Sequence, residues 1–264
     1  MTDVLAPYRE LFSLKGRTAI ITGSSRGIGR AIAEAMAAHG ARVVISSRKQ
    51  GPCEEVAEGI RAGGGEAIAV ACNISDNAAL ENLVAETRRA FGRVDILVCN
   101  AASNPVYGSM AETSDEVFHK IMHNNVRANM NLAHLVLPEM AGRGDGAIII
   151  VSSIAGLKGS KNIGLYAISK AADMQLVRNL AAEWSPRGVR VNAIAPGLVK
   201  TDFARALWEN PEIRGHVERL TPLRRIGDPI DIAGVAVMLA APAGRFMTGE
   251  TVVVDGGATI AEPF

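Results

Sequence analysis

The sequence predicts an α/β fold, a doubly wound parallel sheet of about seven strands with helices on both faces. Three observations lead there. Strand and helix signals alternate from Arg17 to Val254 with no Pro/Ser-rich linker, internal repeat or low-complexity stretch, the pattern of successive βα units. A glycine-rich turn stands between the first strand signal and the first helix signal. Hydrophobic residues occupy 48% of the 264 positions, enough to cover both faces of a buried sheet. Length alone leaves one large domain or two small ones open, and the unbroken alternation selects a single domain over 1–264.

The first strand is Arg17-Thr18-Ala19-Ile20-Ile21-Thr22, β-branched and apolar, and it runs directly into Gly23-Ser24-Ser25-Arg26-Gly27-Ile28-Gly29. Arg30 to His39 has high helix propensity and closes on Gly40, suited to a C-cap. Ala41-Arg42-Val43-Val44-Ile45-Ser46 reads as the second strand. Further along, Gly146-Ala147-Ile148-Ile149-Ile150-Val151 reads as a buried strand, and Pro229 starts another helix.

A strand, a glycine turn and a helix in that order form a phosphate-binding device. Glycines let the backbone turn sharply and approach a phosphate, and the helix N-terminus offers free N–H groups and partial positive charge. The spacing is G-x-x-x-G-x-G, which differs from the usual G-x-G-x-x-G. An acidic residue ~20 positions on would bind the ribose 2′-hydroxyl of NAD. Residues 35 to 53 hold no Asp or Glu, and the second strand ends in Ser46-Ser47-Arg48-Lys49. Arg48 can pair with a 2′-phosphate through its planar fork, helped by Arg26 from the turn. The expected cofactor is therefore NADP(H).

Tyr166 and Lys170 stand four residues apart in Gly164-Leu165-Tyr166-Ala167-Ile168-Ser169-Lys170, on one face of a helical turn. A phenol titrates near ~10, so acid/base work near ~7 needs about 4 kcal/mol of phenolate stabilisation. One positive charge about 6 Å away supplies roughly 3 kcal/mol at an effective dielectric of ~20. A fully solvated pair supplies under ~1 kcal/mol. The pair thus requires a partly dry cleft or a second cation such as an oxidised nicotinamide. Ser152 and Ser153 fall at the exit of the strand 146–151, where open α/β sheets place their ligands. Asn124 and Asn125 lie inside an apolar helical pattern, where an amide costs stability unless it is hydrogen-bonded.

These residues resemble the short-chain dehydrogenase/reductase family over nearly the whole chain. The matching pieces are Thr22 to Gly29, Asn100-Ala101-Ala102, Asn125, Ser153, Tyr166, Lys170, Pro196-Gly197 and Thr201. Asn104-Pro105, the run Ala195 to Thr201, and Leu207-Trp208 look most like NADPH-dependent carbonyl and retinal reductases of the dehydrogenase/reductase member 4 type. The resemblance implies a Rossmann-like domain, with 17–100 mainly for the dinucleotide, 101–226 for catalysis and a substrate flap, and 227–264 for a C-terminal helix and last strand. It selects Ser153, thirteen residues before Tyr166, to polarise a substrate carbonyl, and Asn125, seven after Phe118, to hold a water linking the lysine to solvent. Cofactor contacts are expected from Gly23, Ser25, Arg26, Gly27, Ile28 and Gly29, from Ser47, Arg48 and Lys49, and from Asn73 and Ile74. Asn100, Ala101, Ala102, Tyr166, Lys170, Pro196, Gly197, Val199 and Thr201 complete the set.

The implied reaction moves a hydride between NADP(H) and a carbonyl or secondary alcohol, with Tyr166 giving its proton to the carbonyl oxygen and Lys170 lowering the phenol pKa and binding nicotinamide ribose. Two departures stand out. The family's loop after strand four usually reads Asn-Asn-Ala-Gly, and here it is Cys99-Asn100-Ala101-Ala102. The family Asp that contacts the adenine amino group is Asn73, whose carbonyl oxygen can still accept. The chain ends Ala261-Glu262-Pro263-Phe264, unlike the peroxisomal tripeptide of mammalian relatives.

Residues 198 to 226 carry Phe203, Leu207, Trp208 and Leu220 among many charges and read as a mobile flap that excludes water. With Tyr107 they favour an apolar carbonyl. Lys158 and Lys161 could instead attract a carboxylate or phosphopantetheine, which leaves 3-oxoacyl-carrier-protein reduction as the rival reaction. A non-catalytic NADP-binding regulator is the rival of another class, and it gives no reason to retain Ser153, Tyr166 and Lys170 together.

The net charge of +1 makes no case for nucleic acid or an anionic membrane, and no span approaches the ~20 apolar residues of a membrane helix. Asp3, Arg9 and Glu10 argue against a secretory signal. Cys53, Cys72 and Cys99 have no metal spacing and cannot all pair, which suits a reduced cytoplasm; Cys72 and Cys99 read as core positions at strand ends. His119 and His123, at i and i+4, lack a supporting motif and read as a solvated helix face, so no metal is expected. The Ala-, Leu- and Met-rich helices around 113–142 and 164–185 resemble surfaces that the family often buries in a tetramer. A homotetramer is expected, with a dimer as the alternative.

Overall fold

A computed structural model of the chain describes residues 4–261. Asp3 and the ending Glu262-Pro263-Phe264 lie outside the described residues. Seven strands form one sheet: β1 Thr18–Thr22, β2 Arg42–Ser46, β3 Glu66–Ala69, β4 Ile96–Cys99, β5 Gly146–Val151, β6 Val189–Pro196 and β7 Thr251–Val254. Their order is β3-β2-β1-β4-β5-β6-β7, and every pair is parallel. The expected doubly wound sheet is the fold observed. Strand order reverses between β1 and β4, the position where open α/β sheets bind ligands.

The helices are α1 Ala6–Arg9, α2 Gly27–Ala38, α3 Gln50–Ala62, α4 Asn77–Phe91, α5 Asp115–Met122, α6 Ala128–Arg143, α7 Gly164–Trp184, α8 Arg205–Trp208, α9 Pro211–Leu220 and α10 Pro229–Ala240. Because side chains alternate along a strand, β1 sends Ala19 and Ile21 to the layer that holds α2, α3 and α10. Ile20 goes to the layer that holds α4, α6 and α7. β4 and β5 split the same way, with Val98 and Ile149 on the first face and Leu97 and Ile148 on the second. Both faces are covered, which explains the continuous apolar runs of these strands.

Local signals account for many boundaries. Asp76 accepts from the amides of Ala78 and Ala79 to start α4, which ends on Gly92 in the left-handed region. The predicted strand 146–151 coincides with β5. The first two strands each begin one residue later than predicted, at Thr18 and Arg42. The first long helix begins earlier, since Gly27-Ile28-Gly29 form its first turn. Cys72 lies past the end of β3 at Ala69, where the sequence reading placed it at a strand end; it is buried, as are Cys53 and Cys99. The segment predicted as a flap holds a 3₁₀ turn at Asp202–Ala204 followed by α8 and α9.

Candidate active site

The C-terminal ends of β1, β4, β5 and β6 meet at one edge of the sheet and carry most of the predicted site residues. The glycine turn leaves β1 and is held by β4. The Asn100 side chain donates to the carbonyls of Thr22 at 2.9 Å and Gly23 at 3.2 Å. The amides of Asn100 and Ala101 donate to the Thr22 hydroxyl at 3.0 and 3.1 Å. Two glycines are required for different reasons. Gly27 has φ +57°, and Gly29 sits where a Cβ would lie 2.5 Å from both Asn100 Nδ2 and the Gly23 carbonyl. The Thr201 methyl, beyond β6, approaches within 3.3 Å of where a Gly27 Cβ would stand. Ala102 stays out of the left-handed region, so the missing family glycine introduces no strain there.

These residues fit a nicotinamide dinucleotide. No side chain caps the N-terminus of α2, leaving its amides available to an anion. Arg48 is exposed beyond β2 and has no ion-pair partner among the described residues. Lys49 is the N-cap of α3, and the Ser47 hydroxyl lies 3.1 Å from Cys53 Sγ. Arg26, by contrast, is bound to Asp202 at 3.1 Å. Asn73 also has a partner, its Oδ1 accepting from the Ser75 hydroxyl at 2.8 Å. Ile74 is half-buried beside it. Pro196 ends β6, the Gly197 amide donates to the Val254 carbonyl, and Val199 is buried.

The reactive groups converge at the end of β5 and the start of α7. Ser152 is buried and donates to the Lys170 carbonyl at 2.7 Å, which removes it from chemistry. The Ser153 hydroxyl accepts from the Ala155 amide at 3.1 Å and lies on the side of the Tyr166 phenol, whose pKa it lowers. Lys170 is 1% exposed, with its Nζ 5.7 Å from the centre of the Tyr166 ring. Phe203 lies over the same ring, 6.0 Å between centroids. Trp208 donates to the Thr201 carbonyl at 2.7 Å and carries Lys200 on its face. Tyr107 is exposed and accepts from Asn162. A cavity of about 200 Å³ around Asp95, Asp145 and Arg190 lies at the opposite end of the sheet.

Asn125 is fully buried in a π-helical stretch, His123–Arg127, between α5 and α6, a feature frequent at functional sites. Its side chain bonds Ser103 in both directions and donates to the Ser169 hydroxyl at 3.0 Å. Its carbonyl accepts from Asn129 at 2.6 Å. Lys170 donates to the Val151 carbonyl and to the Asp173 carboxylate, both at 2.9 Å, and Asp173 also accepts from Asn129 at 3.0 Å. Sequence reasoning missed Asp173 and Asn129. The available signal was a carboxylate three residues after Lys170, within reach of it along one helix face.

The electrostatics revise one expectation. Burial raises the Tyr166 pKa, Lys170 and the Ser153 hydroxyl lower it, Asp173 raises it, and the phenol ends above its ordinary range. Lys170 acts in the expected direction and is outweighed. Burial opposes the Lys170 charge, but the Asp173 carboxylate and Tyr166 hold its pKa above the usual value. Among the described residues no group of three His, Cys, Asp or Glu could hold a metal. His119 is exposed, and His123 lies 3.2 Å from the Ser75 carbonyl. No helix in the described residues is long and apolar enough to cross a membrane.

A family model described as "Enoyl-(Acyl carrier protein) reductase" matches residues 23–259. Dehydrogenase/reductase SDR family member 4 of Sus scrofa is 41% identical over 244 residues, 92% of this chain and 88% of that protein. A gluconate 5-dehydrogenase from Burkholderia cenocepacia J2315, solved with NADP and tartrate, superposes with a TM-score of 0.91 at 32% identity over 96% of this chain and 99% of that one. A 7α-hydroxysteroid dehydrogenase solved with NADH and 7-oxo glycochenodeoxycholic acid has a TM-score of 0.91 at 36% identity, over 94% and 96%. Fold and relatives define an oxidoreductase of CH–OH groups that uses a nicotinamide dinucleotide. The chain belongs to the short-chain dehydrogenase/reductase family and is of the dehydrogenase/reductase member 4 type.

Proposed function

We infer that the protein is an NADP(H)-dependent carbonyl reductase, converting a ketone or aldehyde to an alcohol or running in reverse. The observation that carries the reading is the placement of Tyr166 beside the buried Lys170, with Ser153 at the exit of β5. When bound, NADPH supplies the hydride. Tyr166 holds the proton that the carbonyl oxygen takes up, Ser153 orients that oxygen, and Lys170 supplies positive charge beside the phenol. Asn125 braces the helix behind them through Ser103 and Ser169. Arg48, exposed and without an ion-pair partner among the described residues, favours NADP(H) over NAD(H), in keeping with the NADP in the gluconate 5-dehydrogenase structure. Phe203 above Tyr166 favours an apolar substrate.

Lys158 and Lys161 are exposed near the site, which keeps 3-oxoacyl-carrier-protein reduction as a second reading. The protein acts as a single domain, in a homotetramer, and in a reducing compartment that suits its three free cysteines. Oxidation of NADPH and NADH, measured side by side against small ketones, α-diketones, retinal and a 3-oxoacyl thioester, tests the assignment. Preference for NADPH with diketones or retinal is expected. Thioester-only turnover would move the protein to fatty-acid chemistry, and NADPH binding without any turnover would make it a regulator.

A further inference from the structure

Asp173 is fully buried and ion-paired with a lysine that is itself 1% exposed. Such a pair carries a desolvation penalty for both charges, and removing one partner strands the other. Here both carboxylate oxygens are engaged. Oδ2 accepts from Lys170 Nζ at 2.9 Å and Oδ1 from Asn129 at 3.0 Å. Asn129 in turn donates to the Asn125 backbone carbonyl, so a continuous chain of hydrogen bonds runs from the backbone of the π-helical stretch to the lysine. That lysine is the cation beside Tyr166.

We propose that Asp173 is a positioning residue: it holds the Lys170 ammonium against the end of β5 and sets how strongly that ammonium acts on the Tyr166 phenol. This rests on the reading of Tyr166 as the proton donor. With one positive and one negative charge on the same helix face, the field at the phenol is that of a dipole, weaker than that of a free ammonium. Tyr166 therefore keeps its proton over a wider pH range, which suits carbonyl reduction, where the phenol must start protonated. The groups facing this cluster are few. Ser153 meets the phenol, the Val151 carbonyl meets Lys170, Asn129 comes from α6, and the buried Cys99 thiol comes from β4. The Cys99 thiol is pushed up by burial and by Asp173, and so adds no charge at neutral pH.

The test is a spectrophotometric titration of the tyrosine phenolate in the full-length protein, with the Tyr166→Phe spectrum subtracted to isolate Tyr166. It is repeated in Asp173→Asn and Asp173→Ser. Removing one negative charge at this range should lower the Tyr166 midpoint by about one pH unit. The alkaline limb of kcat/KM for 2,3-butanedione at saturating NADPH should move down with it. A midpoint that does not move, with folding intact, overturns the proposal, and so does failure of both variants to fold, since Asp173 would then be a structural prop. If Tyr166→Phe keeps normal turnover, the proton-donor reading fails instead, and the titration still reports on Asp173.

Discussion

The Arg26 guanidinium reaches the Asp202 carboxylate at 3.1 Å, tying the glycine-rich turn after β1 to the first residues beyond β6. Asp202 also binds Arg205, and the two arginines hold its carboxyl below the usual carboxylate range, Arg205 first. All three side chains are substantially exposed, so solvent screens the contact. An incoming 2′-phosphate would compete with Asp202 for Arg26. Asp202→Asn is therefore expected to tighten NADPH binding by at most a few-fold and to leave NADH binding unchanged, as measured by fluorescence titration of each nucleotide. Weaker NADPH binding in the variant would show that Asp202 orders Arg26 for the cofactor.

Tyr166→Phe should lower carbonyl turnover by roughly 10²–10⁴-fold, the range associated with losing a positioned acid. The ring is kept, so packing against Phe203 and NADPH affinity should survive. Steady-state rates paired with nucleotide titration check this, and near-normal turnover would remove Tyr166 from the mechanism.

Arg48→Ala removes the cation at the end of β2. Charge-assisted hydrogen bonds contribute about 1.5–3 kcal/mol, so NADPH should bind roughly ten- to a hundredfold more weakly while NADH is unaffected. A parallel loss of both nucleotides would mean that Arg48 supports the turn and does not read the phosphate.

Burial, with Asp76 adding to it, pushes the Cys72 thiol from 9.0 up to about 11. The folded state thus binds this proton more tightly than the unfolded chain. The resulting stability is complete below pH 9 and is lost as pH rises through about 11. Thermal unfolding of Cys72→Ala should show a flatter decline across that window than the parent protein. Identical slopes would assign the alkaline loss to other groups.

Much of the site was legible because its signals are local. The run 146–151 holds no proline and ends in four successive β-branched residues, and it forms β5 to the residue. Tyr166 and Lys170 are one helical turn apart, so helix geometry alone brings them together. The choice of Ser153 over Ser152 needed the family interval, and the structure supplies an independent reason, since Ser152 is spent on the Lys170 carbonyl.

Contacts across the chain were not legible. Asn129 meets Asp173 over 44 residues because α6 and α7 pack on the same face of the sheet. Arg26 meets Asp202 over 176 residues because the loops after β1 and β6, strands separated by β4 and β5, fold toward each other over the same end of the sheet. The sequence by itself determined the alternation of elements, the glycine-rich turn and the candidate reactive side chains, since each is written within a few consecutive residues. Only the tertiary structure decided how dry the cleft is and which carboxylate faces the lysine. Those two facts raise the Tyr166 pKa where the isolated pair would lower it, because burial and charge act through distances that the folded chain alone sets.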